Sequence, residues 1–197
     1  VGHPGNNLYI KYLYIKTMTE SLIPEDRAAL AARQWRSERP DVDPFPMEVL
    51  GRLGELALLI TRDRLAPLFA RFGLQSGDFD VLATLRRAGT PYALTPTALY
   101  EAMMMSSGGM TARIDRLEKA GLIERHKHPS DRRGTLVVLS EAGKQLIDAA
   151  LPVHVDNQRS ILAVLSAAEQ QMLNALLAKL LAGLHAPAPT GADDGGD

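Results

Sequence analysis

The chain contains no cysteine. Disulfides, cysteine-ligated zinc and a thiol redox switch are therefore excluded, so any signal this protein senses does not act through sulfur chemistry at cysteine. Aromatic residues are scarce, 5% of the chain, with a single tryptophan at position 35. No apolar run reaches the roughly eighteen residues that a membrane-spanning helix needs, so no membrane partner is expected. Catalytic patterns are missing too. There is no Gly-rich phosphate loop (Gly108-Gly109 is too short), no Ser-His-Asp arrangement and no paired carboxylates, which makes an enzyme the weakest reading. The net charge is −1, so attraction to an anionic partner has to be local. What remains is ordinary: 197 residues, 46% hydrophobic and 23% charged, enough for one large or two small domains with a real core.

The informative stretch lies between Thr95 and Leu139. Thr95 can N-cap a helix with Pro96 at its first position, and Ala98, Leu99 and Ala102 give it an apolar face. Ser106-Ser107-Gly108-Gly109 breaks the pattern and offers a turn and a new cap. Met110, Ile114 and Leu117 then recur at helical spacing until Gly121 stops the second helix. Leu122-Ile123 and Leu136 to Leu139 are strand-like, with turn chemistry at residues 129–134 between them. Helix, turn, helix and hairpin outline a winged helix-turn-helix, whose second helix enters the major groove of DNA while the hairpin touches backbone or minor groove. From Ser106 to Leu139 there are seven Lys or Arg and four Asp or Glu, a basic patch on a near-neutral chain.

This helix pair, followed by the wing and exit helix DRRGTLVVLSEAGKQL, resembles the MarR family of bacterial transcription regulators. The resemblance spans about Glu48 to Leu184, and Asp131-Arg132-Arg133 followed by Leu139-Ser140 is its most specific part. It implies a mainly α fold with a small β wing, a winged helix-turn-helix that dimerises through its N- and C-terminal helices. It also implies a cytoplasmic protein whose partner is double-stranded DNA.

Taken in order, residues 1–17 differ in composition from the rest of the chain and hold three of the five tyrosines. They read as an added leader before a natural start at Met18, or as an extra strand, and not as a signal peptide. Residues 18–46 hold an extra Ala-rich helix, Pro24 to Glu38 with Pro24 at N1, and a Pro-rich linker from Pro40 to Pro46. Residues 47–75 are the first dimerisation segment, a long amphipathic helix from Met47 to Phe72 that Pro67 bends. Its inward candidates include Leu50, Leu53, Ala57, Ile60 and Leu68. Residues 76–139 form the winged DNA-binding lobe, opened by Ser76 as cap of a helix from Gly77 to Ala88. Residues 140–185 are the second dimerisation segment. A helix from Ser140 to about Leu165 with a kink at Pro152 is followed by a capping box at Ser166 to Glu169 and a last helix to Leu184. Leucines cover more than one face of that last helix, a surface that wants a partner. Residues 186–197 are an acidic Pro/Gly-rich tail, expected to be disordered.

A second site is suggested by charges on an apolar helix. Phe79, Val81, Leu82, Ala83, Leu85 and Ala88 form a wide apolar arc, and Asp80, Thr84 and Arg87 a narrow polar stripe within it. Asp80 and Arg87, seven residues apart, lie on one side at about 10 Å, too far to pair directly. Arg113 projects beside the inward face of the second motif helix. One Asp and two Arg at a junction can leave a cationic pocket for a small anion. Taken singly, Asp80 and Arg87 also read as a structural ion network, Arg113 as a phosphate contact and Trp35 as a packing anchor.

Trp35, Asp80, Arg87 and Arg113 together resemble the signature of the urate-responsive, PecS-like subfamily. That resemblance implies that Trp35 and Arg87 hold a planar anionic aromatic ligand, urate or xanthine. It further implies that Asp80 is pushed by the ligand's charge and that Arg113 passes the shift to the recognition helix. No other cofactor is expected. The expected function is a homodimeric repressor released from a pseudo-palindromic operator by that anion. Ser106, Ser107, Gly108, Thr111 and Arg116 would approach the major groove. Asp131 would orient Arg133, with Arg132 or Arg133 in the minor groove. Two alternatives stay open: a regulator answering a phenolic carboxylate, and a ligand-independent architectural DNA-binding protein. His126 and His128 alternate on a strand but lack a third ligand, so no metal site is expected. Met103-Met104-Met105 reads as core filler.

Overall fold

A computed structural model of the chain describes residues 25–75, 77–103, 109–130 and 134–185. The expectations for the leader, Pro24, Ser76, Met104, Met105 and the acidic tail lie outside the described residues. The chain divides into two compact units at Leu59/Ile60.

In the first unit, α1 runs Arg27–Glu38 and α2 runs Phe45–Leu59. Helix α1 starts later than Pro24 suggested because Asp26 takes the cap: its Oδ1 accepts from the Ala29 N–H at 2.8 Å. The other oxygen of that carboxylate accepts from Arg52 Nε on α2 at 2.7 Å, and Arg52 also reaches Glu48 at 2.8 Å. One acid thus ends a helix and holds its neighbour, and both links lower the Asp26 pKa, the Arg52 hydrogen bond most. Helix α2 begins two residues before Met47, since Pro46 fits the first turn, where its missing N–H has no use. Leu50 and Leu53, expected inward, are 61% and 41% exposed.

The single helix expected to reach Phe72 is three pieces: α2, a π-helix at Ile60–Leu65, and α3 at Ala66–Ala70 with Pro67 in its first turn. Pro67 has no N–H for the carbonyl four residues back, and the turns before it take the wider π register, whereas Pro152, where a kink was expected, lies inside a helix that runs without a break from Glu141 to Leu162. The widened turn finds outside partners. The carbonyl of Arg64 accepts from Asn157 Nδ2 at 3.3 Å, and the Arg64 guanidinium donates to Ser160 Oγ at 2.6 Å.

The rest of the second unit follows as α4 (Asp78–Arg87), β1 (Ala93–Leu94), α5 (Pro96–Ala102), α6 (Met110–Lys119), β2 (Ile123–Lys127), β3 (Thr135–Leu139), α7 (Glu141–Leu162) and α8 (Ala167–His185). The caps behave as read. Thr95 Oγ1 accepts from Ala98 N at 3.1 Å, Ser140 Oγ from Gly143 N at 3.0 Å, and Ser166 exchanges bonds with Glu169. The hairpin pairs Ile123 with Leu139 and Lys127 with Thr135. A third strand, β1, was not expected. It joins the far side of β3 in the order β1-β3-β2, and two residues are too few to show a period.

The core of this unit is drawn from every layer: Leu68 and Phe69 of α3, Val81, Leu82 and Leu85 of α4, Leu99 of α5, Ile114 and Leu117 of α6, Val137 of β3, and Ile147 of α7. Both motif helices therefore sit on α4 with one face buried, which leaves the opposite face of α6 to solvent. Ala88, placed on the apolar arc by its spacing, is exposed beyond the end of α4. Helix α8 has no buried residue, and Leu176, Leu180, Leu181 and Leu184 are all exposed. No single described helix is long and apolar enough to cross a membrane; only α7 and α8 taken together reach that measure, and they bend by 102° at their junction.

Candidate nucleic-acid interface and effector site

Helix α6 is held on three sides. On the first, Asp78 at the start of α4 has a buried side chain, and the Arg116 guanidinium donates to it twice, at 2.6 and 3.2 Å. Asp78 Oδ2 also accepts from Gln75 N at 2.8 Å. The fork of Arg116, expected to approach the major groove, is engaged by a carboxylate of its own chain, which ties α6 to α4. The spacing of α6 shows Arg116 beside the buried face but cannot show the acid waiting across the junction.

The second tie comes from the wing. Arg125 on β2 donates to both Asp115 and Glu118, one turn apart on the solvent side of α6. All three side chains are partly exposed, so the energetic yield is modest, but wing and helix are linked. The third tie is steric. Ser140 Oγ donates to the Gly121 carbonyl at 2.7 Å and Ser140 N to Leu122 O at 3.1 Å. Just beyond, a Cβ on Gly143 would stand 2.0 Å from Leu122 O, so α7 leaves the wing with backbone against backbone.

Thr111 is exposed on the first turn of α6. Ser106, Ser107 and Gly108 before it, and Asp131, Arg132 and Arg133 at the wing tip, lie outside the described residues. His126 bonds Glu124 at 2.7 Å, and His128 bonds Ser130.

Of the four residues singled out for an anion, the three in the second unit do not all meet. Asp80 and Arg113 come together. The Arg113 side chain lies on the backbone at Gly77, where an added Cβ would be 2.5 Å from its Nε. Gly77 also has φ +86°, so this α4 cap serves both the turn and the close approach. Burial raises the Asp80 pKa, opposed by the charges of His154 and then Arg113. Arg87 does not join them. It is exposed and donates to Thr84 Oγ1 at 3.3 Å and to the carbonyl of Ala102 in the last turn of α5. A cation is favoured at a helix C-terminus, and this one was closer than Asp80. Trp35 belongs to the first unit, where it is 45% exposed and lines an open hollow with Arg33, Gln34, Ser37 and Glu38.

His154, which the reading of the charges passed over, completes the cluster. Its ring lies 4.5 Å from Phe79 and 5.6 Å from Phe69, centroid to centroid. Spacing offered the signal: His154 follows Ile147 by seven residues, on the buried face of α7. Burial depresses its pKa, with Asp80 opposing. Among the described residues, Arg113 Nη1 and His154 Nδ1 are buried without a hydrogen-bond partner. Such atoms are uncommon in a folded protein and mark places where something else belongs.

These shifts set a pH dependence. His154 is kept below its ordinary 6.5, so the stability tied to its neutral form is complete above that pH and is lost as the pH falls through it. Asp80 acts oppositely: raised above 3.8, it contributes stability below that pH which is lost as the pH rises through its folded value. The wild type should lose Tm on acidification from pH 7, and thermal unfolding of His154→Phe should lack that decline; an unchanged decline would assign it to other groups.

A model of the MarR family matches residues 72–134. The HTH-type transcriptional regulator PecS of Dickeya dadantii (strain 3937) is 43% identical over 126 residues, 64% of this chain and 75% of PecS. The chain belongs to the MarR family. The multiple antibiotic resistance protein MarR of Escherichia coli (strain K12), another member, is 30% identical over 99 residues, 49% of this chain and 67% of that protein. Among solved structures, a mutant E. coli MarR complexed with operator DNA aligns at a TM-score of 0.60 and 27% identity, covering 75% of this chain and 97% of that one. A MarR family transcriptional regulator from Streptomyces coelicolor in complex with DNA aligns at 0.62 and 25%, covering 74% and 90%. This MarR family chain is therefore a DNA-binding transcriptional regulator and not an enzyme, with α5 and α6 as its helix-turn-helix and β2–β3 as its wing.

Proposed function

We propose that the chain is a cytoplasmic homodimeric repressor that leaves a pseudo-palindromic operator when urate, or a related purine anion such as xanthine, binds beside its recognition helix. The observation that carries this reading is Arg113, a cation on α6 with a buried guanidinium nitrogen lacking a partner, set beside Asp80. A planar anion matches the fork of a guanidinium. An anion that takes Arg113 is also repelled by an ionised Asp80. If that strain is relieved only when α6 shifts, the ligand prefers the state that does not fit DNA, with the 1–3 kcal/mol usual for such coupling. The cationic member of this site is Arg113, with Arg87 held away at Ala102.

Thr111, Ser106, Ser107 and Gly108 would face the major groove, and Arg132 or Arg133, oriented by Asp131, the minor groove. The exposed leucines of α8 support the dimer, whose two-fold axis would set the recognition helices about 34 Å apart, one turn of DNA.

Gel retardation of a pseudo-palindromic fragment upstream of the chain's own gene tests the reading. Urate should release the wild type, and Arg113→Gln should stay bound at urate concentrations at least about ten-fold higher. Release by salicylate alone would reassign the site to a phenolic carboxylate. No response to any of these anions would leave a ligand-independent DNA-binding protein.

A further inference from the structure

The effector reading leaves open what the second buried orphan does. Arg113 Nη1 can only donate. An anion satisfies it with one oxygen, and nothing in that exchange involves His154. Yet His154 Nδ1 is buried and unpartnered too, its ring is packed on Phe79, the neighbour of Asp80 in α4, and its charge and that of Arg113 both act on the Asp80 carboxyl. An imidazole kept for packing alone would sit there at a cost, since a buried polar atom without a partner is unfavourable and a phenyl or leucyl side chain would fill the space without it. The depressed pKa of the ring is consistent with a neutral imidazole, which has one nitrogen free to accept.

We propose that His154 is an effector contact: its Nδ1 accepts a ring N–H of the ligand while Arg113 Nη1 donates to a carbonyl oxygen of the same molecule. This rests on the effector reading and narrows it. Cyclic amides carry C=O and N–H side by side, and oxopurines present several such edges. Salicylate has acceptors for Arg113, but its phenol O–H is held by its own ortho carboxylate, which leaves no donor for the imidazole. His154 is thus the residue that selects an oxopurine over an ortho-hydroxybenzoate such as salicylate.

Isothermal titration of the full chain with urate, with 1-, 3-, 7- and 9-methylurate and with salicylate tests this, using wild type, His154→Phe and His154→Gln. In His154→Phe, urate should bind at least about ten-fold more weakly, the loss expected for one buried hydrogen bond. His154→Gln, which restores an acceptor, should recover part of it. Salicylate affinity should stay within about two-fold across the three proteins. One methylurate, blocked at the N–H that meets the imidazole, should bind wild type weakly and lose nothing further in His154→Phe, because both changes delete the same contact.

Urate binding within about two-fold of wild type in His154→Phe would overturn the proposal, leaving a bridging water as the partner of Nδ1. Equal loss for urate and every methylurate would also overturn it, since the ring would then act through packing. Should His154→Phe fail to fold, the Gln variant and the methylurate series carry the same comparison. Urate that binds the wild type not at all would overturn the effector reading itself, an outcome distinct from urate bound tightly but indifferently to His154.

Discussion

Gly143→Ala is expected to lower the thermal midpoint by roughly 10 °C and to broaden the unfolding of the DNA-binding unit. The added methyl carbon would lie 2.0 Å from the Leu122 carbonyl oxygen and 2.9 Å from a Leu139 methyl group. The nearest obstacle is backbone, so no rotamer change relieves it and the first turn of α7 must move away from the end of the wing. That motion breaks the Ser140 bonds to Gly121 and Leu122. Overpacking of this kind costs about 3 kcal/mol or more where the neighbour cannot yield, and each kcal/mol shifts a chain of this size by roughly 2–4 °C. Differential scanning calorimetry checks the figure. A midpoint within about 2 °C of wild type would mean that α7 slides freely along the wing.

Arg116→Ala should destabilise the chain by about 3 kcal/mol, and the double variant with Asp78→Ala should be more stable than Arg116→Ala alone. The asymmetry follows from burial: the Arg116 side chain is 37% exposed and can turn to water, whereas that of Asp78 is 3% exposed and cannot. Removing the arginine strands a carboxylate with only the Gln75 amide. Removing both leaves only the Gln75 N–H without its acceptor, and that residue is exposed, so water can take the bond. Chemical denaturation of the three variants measures the cycle. Were Arg116 a base reader, Arg116→Ala would weaken operator binding at unchanged stability, and the two roles are thereby separated.

Most of the second unit was legible because its elements carry their own punctuation. Thr95-Pro96, Gly121, Ser140 and the Ser166/Glu169 box each state a helix end in local chemistry, and the structure puts the ends there. The period of Met110, Ile114 and Leu117 likewise oriented α6. What escaped was decided by partners distant in sequence. Asp78 meets Arg116 across 38 residues, and His154 reaches Phe69 and Phe79 from another helix. The separation of Arg87 from Asp80 turned on which acceptor lay within reach of a long side chain, the carbonyl of Ala102. The π-helix sits just before a single proline that the apolar period ran straight across. Helical spacing says which residues share a face and nothing about what faces them.

The ion pairs of Arg116 and Arg125 bear on how this protein grips nucleic acid in salt solution. Counterions leave DNA only when a protein cation replaces them at a phosphate. A guanidinium already neutralised by its own chain displaces none, and neither does one facing inward, as Arg113 does. Of the seven basic residues between Ser106 and Leu139, three are thus removed from the tally. Binding should accordingly fall less steeply with ionic strength than the formal charge of the motif implies.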